Sequence, residues 1–409
     1  MSMVNVNFIS NRDPPSVSVV GCKSYDPGTV AESIGKAVDS LGGMAAFVSE
    51  GERILLKPNM LIPRKPEDAV TTHPEALRAV IRLVKEAGAH PIVGDSPAGR
   101  STKRILNHLA DRTGIAQVCR EEGVAFALFT EGRSVAFPDG RVAKSFDLTT
   151  VIDDVDGIIS VAKLKTHSYT RYTGAVKNLF GLVYGLKKAE YHMRMKDPEA
   201  FSNMLVDLAE CAKPRLTVMD GVVGMDGDGP SAGRVRRVGV ILASANPHAL
   251  DFVALKAVGV ADPEEVWTVA AAMRRGLIPE AGDKNGISIV GDNLAGLSIA
   301  PFKMPPRLRV FSAIPNTIGS IVAEAATRKP VFRADECVIC GACVDACPAE
   351  ALSIGDSDSA RIVIDRSLCI RCYCCQEVCP EKAVVLRRMP ARSLGRAFMA
   401  RVRRKDRSG

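Results

Sequence analysis

The stretch Cys337-Val338-Ile339-Cys340-Gly341-Ala342-Cys343-Val344-Asp345-Ala346-Cys347-Pro348 is matched in spacing by Cys369-Ile370-Arg371-Cys372-Tyr373-Cys374-Cys375-Gln376-Glu377-Val378-Cys379-Pro380. Both read Cys-x2-Cys-x2-Cys-x3-Cys-Pro, and their motif positions take eight of the twelve cysteines. Thiolates are soft ligands suited to iron–sulfur centres. In this spacing, run twice, three cysteines of each run hold one [4Fe–4S] cluster and the fourth serves the other. Cluster one is therefore expected on Cys337, Cys340, Cys343 and Cys379, and cluster two on Cys369, Cys372, Cys375 and Cys347. Cys374 breaks the register and reads as an extra thiol beside cluster two. Cys-x2-Cys pairs also build zinc sites; two tandem runs, each closed by Cys-Pro, favour iron–sulfur.

A chain of 409 residues has room for two or three domains. A hydrophobic share of 46% and a charged share of 24% are those of a globular protein with a sizeable core, and not of a disordered chain. No apolar run is long enough for a membrane helix. The first fifteen residues are polar and lack the apolar segment of a secretory signal. Cys22, Cys119 and Cys211 are widely spaced and read as reduced, which with the thiolate clusters points to the cytoplasm. The net charge of +8 is uneven: residues 387–409 hold nine Arg and Lys against one acid, Asp406. The excess therefore marks a basic tail and no nucleic-acid surface is expected. Leu394, Phe398, Met399 and Val402 fall on one face of a helix there, a pattern suited to an anionic membrane surface or an acidic partner.

Upstream, apolar runs at 17–20, 53–57, 91–95, 124–129, 157–161, 216–219, 238–243 and 287–290 read as strands. Helical patterns lie between most of them, for example at 74–87, where Pro74 opens and Gly88 closes the helix. Strands alternating with helices imply βαβ units, hence an α/β body with a mainly parallel sheet. The expected organisation is a body over 1–300, a linker over 301–332, a small α+β ferredoxin-like module over 333–386 and the tail.

In such sheets ligands bind beyond the carboxyl ends of strands. The richest segment there runs from Lys163 through Lys165, Thr166 and His167 to Lys177 and Asn178, between a strand and a helix. Lysines near free backbone N–H groups form an anion site. Lys57 with Asn59, and Asp95 with Ser96, follow other strands and join the same expected site. His167, His73 and Lys165 are the residues expected to carry proton chemistry. Asp220, Asp226 and Asp228, in a glycine-rich segment, could hold a divalent cation through oxygen ligands.

These segments resemble a known family. The matching residues are Leu55 to Asn59, Thr72 to Glu75, Gly94 to Pro97, Lys163 to His167, Lys177 to Gly181, Asp220 to Pro230 and Asn246 to Asp251. They resemble the family catalogued as domain of unknown function three-six-two, whose members are often fused to a two-cluster ferredoxin-type module. The resemblance implies the fold and the cluster module; it implies no reaction.

Three functions fit these residues. The first is an oxidoreductase passing electrons through two clusters to a small anionic substrate on the body, with a redox protein as donor or acceptor. The second is an electron-transfer or adaptor subunit serving a partner enzyme. The third is a non-redox enzyme acting on a carboxylate, with structural clusters.

Overall fold

The computed structural model describes residues 14–280, 286–297, 299–306, 328–357 and 360–388. The strands of the body are β1 Ser16–Gly21, β2 Arg53–Pro58, β3 His90–Asp95, β4 Ala125–Leu128, β5 Gly132–Ala136, β6 Ser145–Thr149, β7 Gly157–His167, β8 Arg171–Thr173, β9 Leu216–Asp226, β10 Arg234–Ser244 and β11 Ser288–Gly291. Among the described residues, nine of them form one sheet in the order β11-β1-β10-β9-β7-β2-β3-β4, with β8 paired to β7. The run β9-β7-β2-β3-β4 is parallel, as is β1 with β11. The body is thus α/β with a mainly parallel sheet, as the alternation of strands and helices implies.

The central strands are buried on both faces, which is why they read as continuous apolar runs. Successive side chains point to opposite layers. Leu56, Ile159, Val218 and Ile241 pack against helices Pro27–Asp39 and Pro74–Glu86. Leu55 and Ile158 face the other way, toward helix Pro198–Ala212, and Ala162, Met219 and Leu242 toward helix Pro247–Ala257.

Two expectations change here. β7 continues to His167, so Lys163 and Lys165 lie in a strand and not in a loop. Asp220 and Asp226 likewise belong to β9, which pairs with β10 as a long antiparallel hairpin. Polar residues read as loop because strands of this sheet are otherwise apolar. Here the polar side chains are buried against one another.

The C-terminal module is built from strand Lys329–Phe332 on Val384–Arg387, strand Leu352–Ser357 on Ala360–Ile364, and helices Ala342–Asp345 and Cys374–Glu377. Lys329–Phe332, expected in the linker, is therefore part of the module. The module packs on the body through polar and aromatic contacts. Ser231 Oγ donates to the Gln376 carbonyl (3.2 Å), and Gln376 Nε2 to the Asp228 carbonyl (3.2 Å). The Tyr373 ring meets Tyr169 edge-on at 6.4 Å. No helix among the described residues is long and apolar enough to cross a membrane. The basic tail beyond residue 388 lies outside the described residues.

Candidate functional site

The carboxyl ends of β2, β3 and β7 meet helix Cys374–Glu377 of the module around a shared cavity. The structure brings Lys57, Asn59, Asp95, Ser96, Lys165, His167, Lys177 and Asn178 to its wall. Lys57 follows Leu55 on the same face of β2, and its Nζ lies 2.8 Å from Asp95 Oδ1 in a fully buried ion pair. Met60 N donates to the other Asp95 oxygen (2.8 Å). Lys165 Nζ donates to Asn59 Oδ1 (2.7 Å) and the Val70 carbonyl (2.5 Å). Asn178 ties the strands together: its Nδ2 donates to the Lys57 carbonyl and to Ser160 Oγ, and its Oδ1 accepts from Asn59 Nδ2.

The helical turn that carries Lys177 and Asn178 is set by Asp251. Its carboxylate accepts from Ala175 N (2.7 Å), Val176 N (3.0 Å) and Tyr172 Oη (3.1 Å). Lys177 makes no hydrogen bond with the described residues; its Nζ lies 5.7 Å from the centre of the Phe180 ring. Gly181 closes this turn against the ion pair. A Cβ there would lie 2.0 Å from Asp95 Oδ1 and 2.5 Å from Lys57 Nζ. Gly181→Ala is therefore expected to force Lys57 and Asp95 apart and weaken anion binding at least about tenfold. Calorimetry with inorganic phosphate, beside iron analysis showing unchanged cluster content, checks this.

His167 is held in one tautomer. Its Nδ1 accepts from Tyr169 N (3.1 Å) and Thr170 N (3.3 Å), so the proton sits on Nε2, which faces Glu377 Oε1 at 3.1 Å. Burial, then the Lys177 charge, pushes this imidazole down to about 4. Burial opposes charge on Glu377, but His167 and Lys177 outweigh it and bring the carboxyl down to about 2. The pair is a neutral imidazole 3.1 Å from a carboxylate across the joint between body and module.

Lys188, His192, Cys374 and Glu377 also stand in the wall, and of these Lys188 and Glu377 escaped the sequence reading. Lys188 donates to the carbonyls of Ser96 (2.9 Å) and Pro97 (2.8 Å) and to Ser96 Oγ. Burial lowers its ammonium to about 7, with Lys57 and Lys177 adding to the shift and Asp95 opposing it. His192 stacks on Phe201 at 4.2 Å, and its buried Nδ1 has no partner among the described residues. Burial pushes it to about 3. Glu377 sits inside a cysteine run whose spacing drew attention to the ligands instead; no signal in the local sequence marks Lys188.

Other expected residues lie elsewhere. Lys163 Nζ donates to Tyr25 Oη and Asp220 Oδ2, both at 2.8 Å, and does not line the cavity. Thr166 Oγ1 donates to the Gly227 carbonyl (2.9 Å). His73 caps a helix, its Nδ1 accepting from Glu75 N, and its ring stacks on Tyr25 at 3.5 Å. The cation site expected on Asp220, Asp226 and Asp228 does not form, because each carboxylate has a basic partner. Lys163 holds Asp220, Arg234 and Arg236 hold Asp226, and Arg328 holds Asp228.

The module's cysteines surround two further cavities. Cys337, Cys340, Cys343 and Cys379 line one. Cys347, Cys369, Cys372 and Cys375 line the other. Each thus combines three thiols of one run with the last thiol of the other, a donor set and enclosure that fit a [4Fe–4S] cluster. Cys347 Sγ accepts from Ala351 N and Cys379 Sγ from Ala383 N, both at 3.3 Å. Hydrogen bonds of this kind tune cluster potential.

Residues 336–383 match the family described as a 4Fe-4S dicluster domain, and residues 54–256 match Domain of unknown function (DUF362). A thylakoid-associated protein of Synechocystis sp. is 38% identical over 269 residues, 66% of this chain and 82% of that protein. The chain belongs to the DUF362 family. It is a DUF362 iron–sulfur protein with a ferredoxin-type 4Fe–4S module. Among solved structures it is similar to the lactate racemase apoprotein of Thermoanaerobacterium thermosaccharolyticum, at 13% identity and a TM-score of 0.37 over 58% of this chain and 55% of that one. A protein from Thermotoga maritima is similar at 12% identity and a TM-score of 0.35, over 64% of this chain and 62% of that one. Residues 54–256 supply most of the DUF362 protein's cavity wall, and the dicluster module closes it through Ala346, Cys374, Glu377 and Val378.

Proposed function

We propose that this protein is an iron–sulfur oxidoreductase that reduces or oxidises a small anion bound between the body and the cluster module. The observation that carries this reading is the shared cavity. Cys374 stands in its wall between Cys372 and Cys375, two of the thiols that would hold cluster two. The clusters supply one-electron chemistry. The protein's part is binding, orientation and proton supply. Lys165 and Lys177 hold the anion, and the Asn59–Asn178 pair fixes Lys165 from behind. Phe180 and Val378, both buried, supply apolar wall. His167 and His192 are neutral at physiological pH and do not serve as acids. Lys188 Nζ, balanced near 7, is the group in the wall suited to exchange a proton at neutral pH.

Cluster one lies nearer the outside: Cys340 is exposed, beside exposed Val338 and Ile339. This is the side proposed for a redox partner protein. The test of the whole reading is the spectrum of the reduced, two-cluster protein during titration with inorganic phosphate. One of the two paramagnetic signals should shift at saturation while the other stays; two unchanged signals would overturn the reading.

The relative from Synechocystis carries thylakoid association in its name. For this chain we propose peripheral attachment through the basic tail. Full-length protein should co-sediment with anionic vesicles at low salt and be released at high salt, whereas a chain ending at Arg388 should stay in solution. Retention of both in the supernatant at low salt contradicts attachment.

A further inference from the structure

We infer that anion binding in the cavity and retention of the clusters are coupled, because one short segment of the module serves both. The inference rests on the anion-site reading above and adds its regulation. Helix Cys374–Glu377 and the residue after it put Cys374, Glu377 and Val378 into the cavity wall. The same segment carries thiols for both clusters: Cys372 and Cys375 line one cluster cavity and Cys379 lines the other. A shift of this segment that opens the anion site therefore moves cluster thiols as well, and the reverse also holds.

The body grips the segment along its length. Gln376 is held at its carbonyl by Ser231 and at its side chain by the Asp228 carbonyl. Arg64 Nη2 donates to the Cys379 carbonyl (3.4 Å), and Tyr373 packs edge-on against Tyr169. At the cavity edge, however, the joint is incomplete. His167 Nε2 and Glu377 Oε1 lie 3.1 Å apart, yet neither atom makes a hydrogen bond with the described residues. The Nδ1 of His192, in the same wall, is unpartnered in the same way. Buried polar atoms without partners are costly, so this edge of the docked module is under-stabilised until a ligand supplies contacts. His167 and His192 belong to the body and Glu377 to the module, so a ligand seated among them fastens one to the other. A ligand that binds only the docked arrangement stabilises it by mass action, and with it the cluster that docking shields. That cluster is the second. Its Cys372 and Cys375 are buried beside Tyr373, on the side that meets the body, whereas Cys340 of the first cluster's cavity is exposed.

The test follows, by absorbance, the loss of clusters from full-length loaded protein challenged with an excess of iron chelator. Sulfate is the added anion, and its affinity for the same protein comes from calorimetry. At about ten times its Kd, sulfate should slow the release of about half of the iron roughly tenfold, and leave the other half nearly unchanged. In Lys165→Ala the same sulfate should slow neither half. The paired variant Ser231→Ala with Gln376→Ala removes two docking bonds and touches neither the cavity wall nor a cluster thiol. Without sulfate it should release the protected half of the iron faster than the unaltered protein, and sulfate should still slow that release. Sulfate that binds but slows neither half would overturn the coupling and leave the anion site standing. Equal slowing in Lys165→Ala, or an unaltered rate in the paired variant, would overturn the coupling too. No sulfate binding would overturn both the coupling and the site.

Discussion

Cys347→Ala is expected to remove the cluster shared with Cys369, Cys372 and Cys375, and Cys379→Ala the one shared with Cys337, Cys340 and Cys343. Each should cost about half of the iron and acid-labile sulfide, because each cavity takes one thiol from the other run. Non-additivity decides the pairing. Cys347→Ala with Cys372→Ala should lose no more iron than either alone, since both act on one cluster. Cys347→Ala with Cys343→Ala should lose nearly all of it. The reverse pattern would mean that each run holds its own cluster. The module has a small apolar core around Leu352, Ile362 and Val384, so loss of both clusters should also unfold it.

Lys165→Ala is expected to abolish anion binding at accessible concentrations while leaving the clusters in place. The side chain is 1% exposed and opens only onto the cavity. Removing one partner of a buried charge contact costs about 2–5 kcal/mol, a loss of roughly thirtyfold or more. The pH dependence has a definite sign. In the free cavity Lys188 titrates near 7. A bound anion stabilises its ammonium and raises that value, so binding takes up a proton. Affinity should be highest below about 7 and fall as pH rises through it. His167 and His192, held near 4 and 3, contribute nothing to this fall. Calorimetric titrations of sulfate, whose charge is constant across neutral pH, check both the loss and the slope; an affinity that rises with pH would exclude Lys188 as the titrating group.

The cluster ligands were legible because iron–sulfur chemistry imposes a local spacing that no other constraint imitates. The parallel strands were legible as short apolar runs, and the wall residues Asn59 and Ser96 as polar groups directly after them. What local sequence could not show is how far a strand continues once its side chains turn polar. Lys163 and Lys165 are two positions apart in one strand, yet the pairing of β7 with β9 shifts register between them. One ammonium meets Tyr25 and Asp220, the other the cavity. Glu377 reaches the site only because the module folds back on the body, and Lys188 because its helix meets Ser96 and Pro97, more than ninety residues earlier in the chain. Asp220, Asp226 and Asp228 looked like a cation site because their basic partners, Lys163, Arg234, Arg236 and Arg328, lie outside the segment that holds the acids.

The central claim is that the anion binds within electronic reach of cluster two. Electron–nuclear double resonance on the reduced protein, with inorganic phosphate observed through phosphorus-31 as the bound probe, tests it most directly. The account predicts a resolved coupling between the probe nucleus and one cluster, kept in Cys379→Ala and lost in both Lys165→Ala and Cys347→Ala. A coupling that survives in Cys347→Ala, or no coupling at saturating probe, would contradict it.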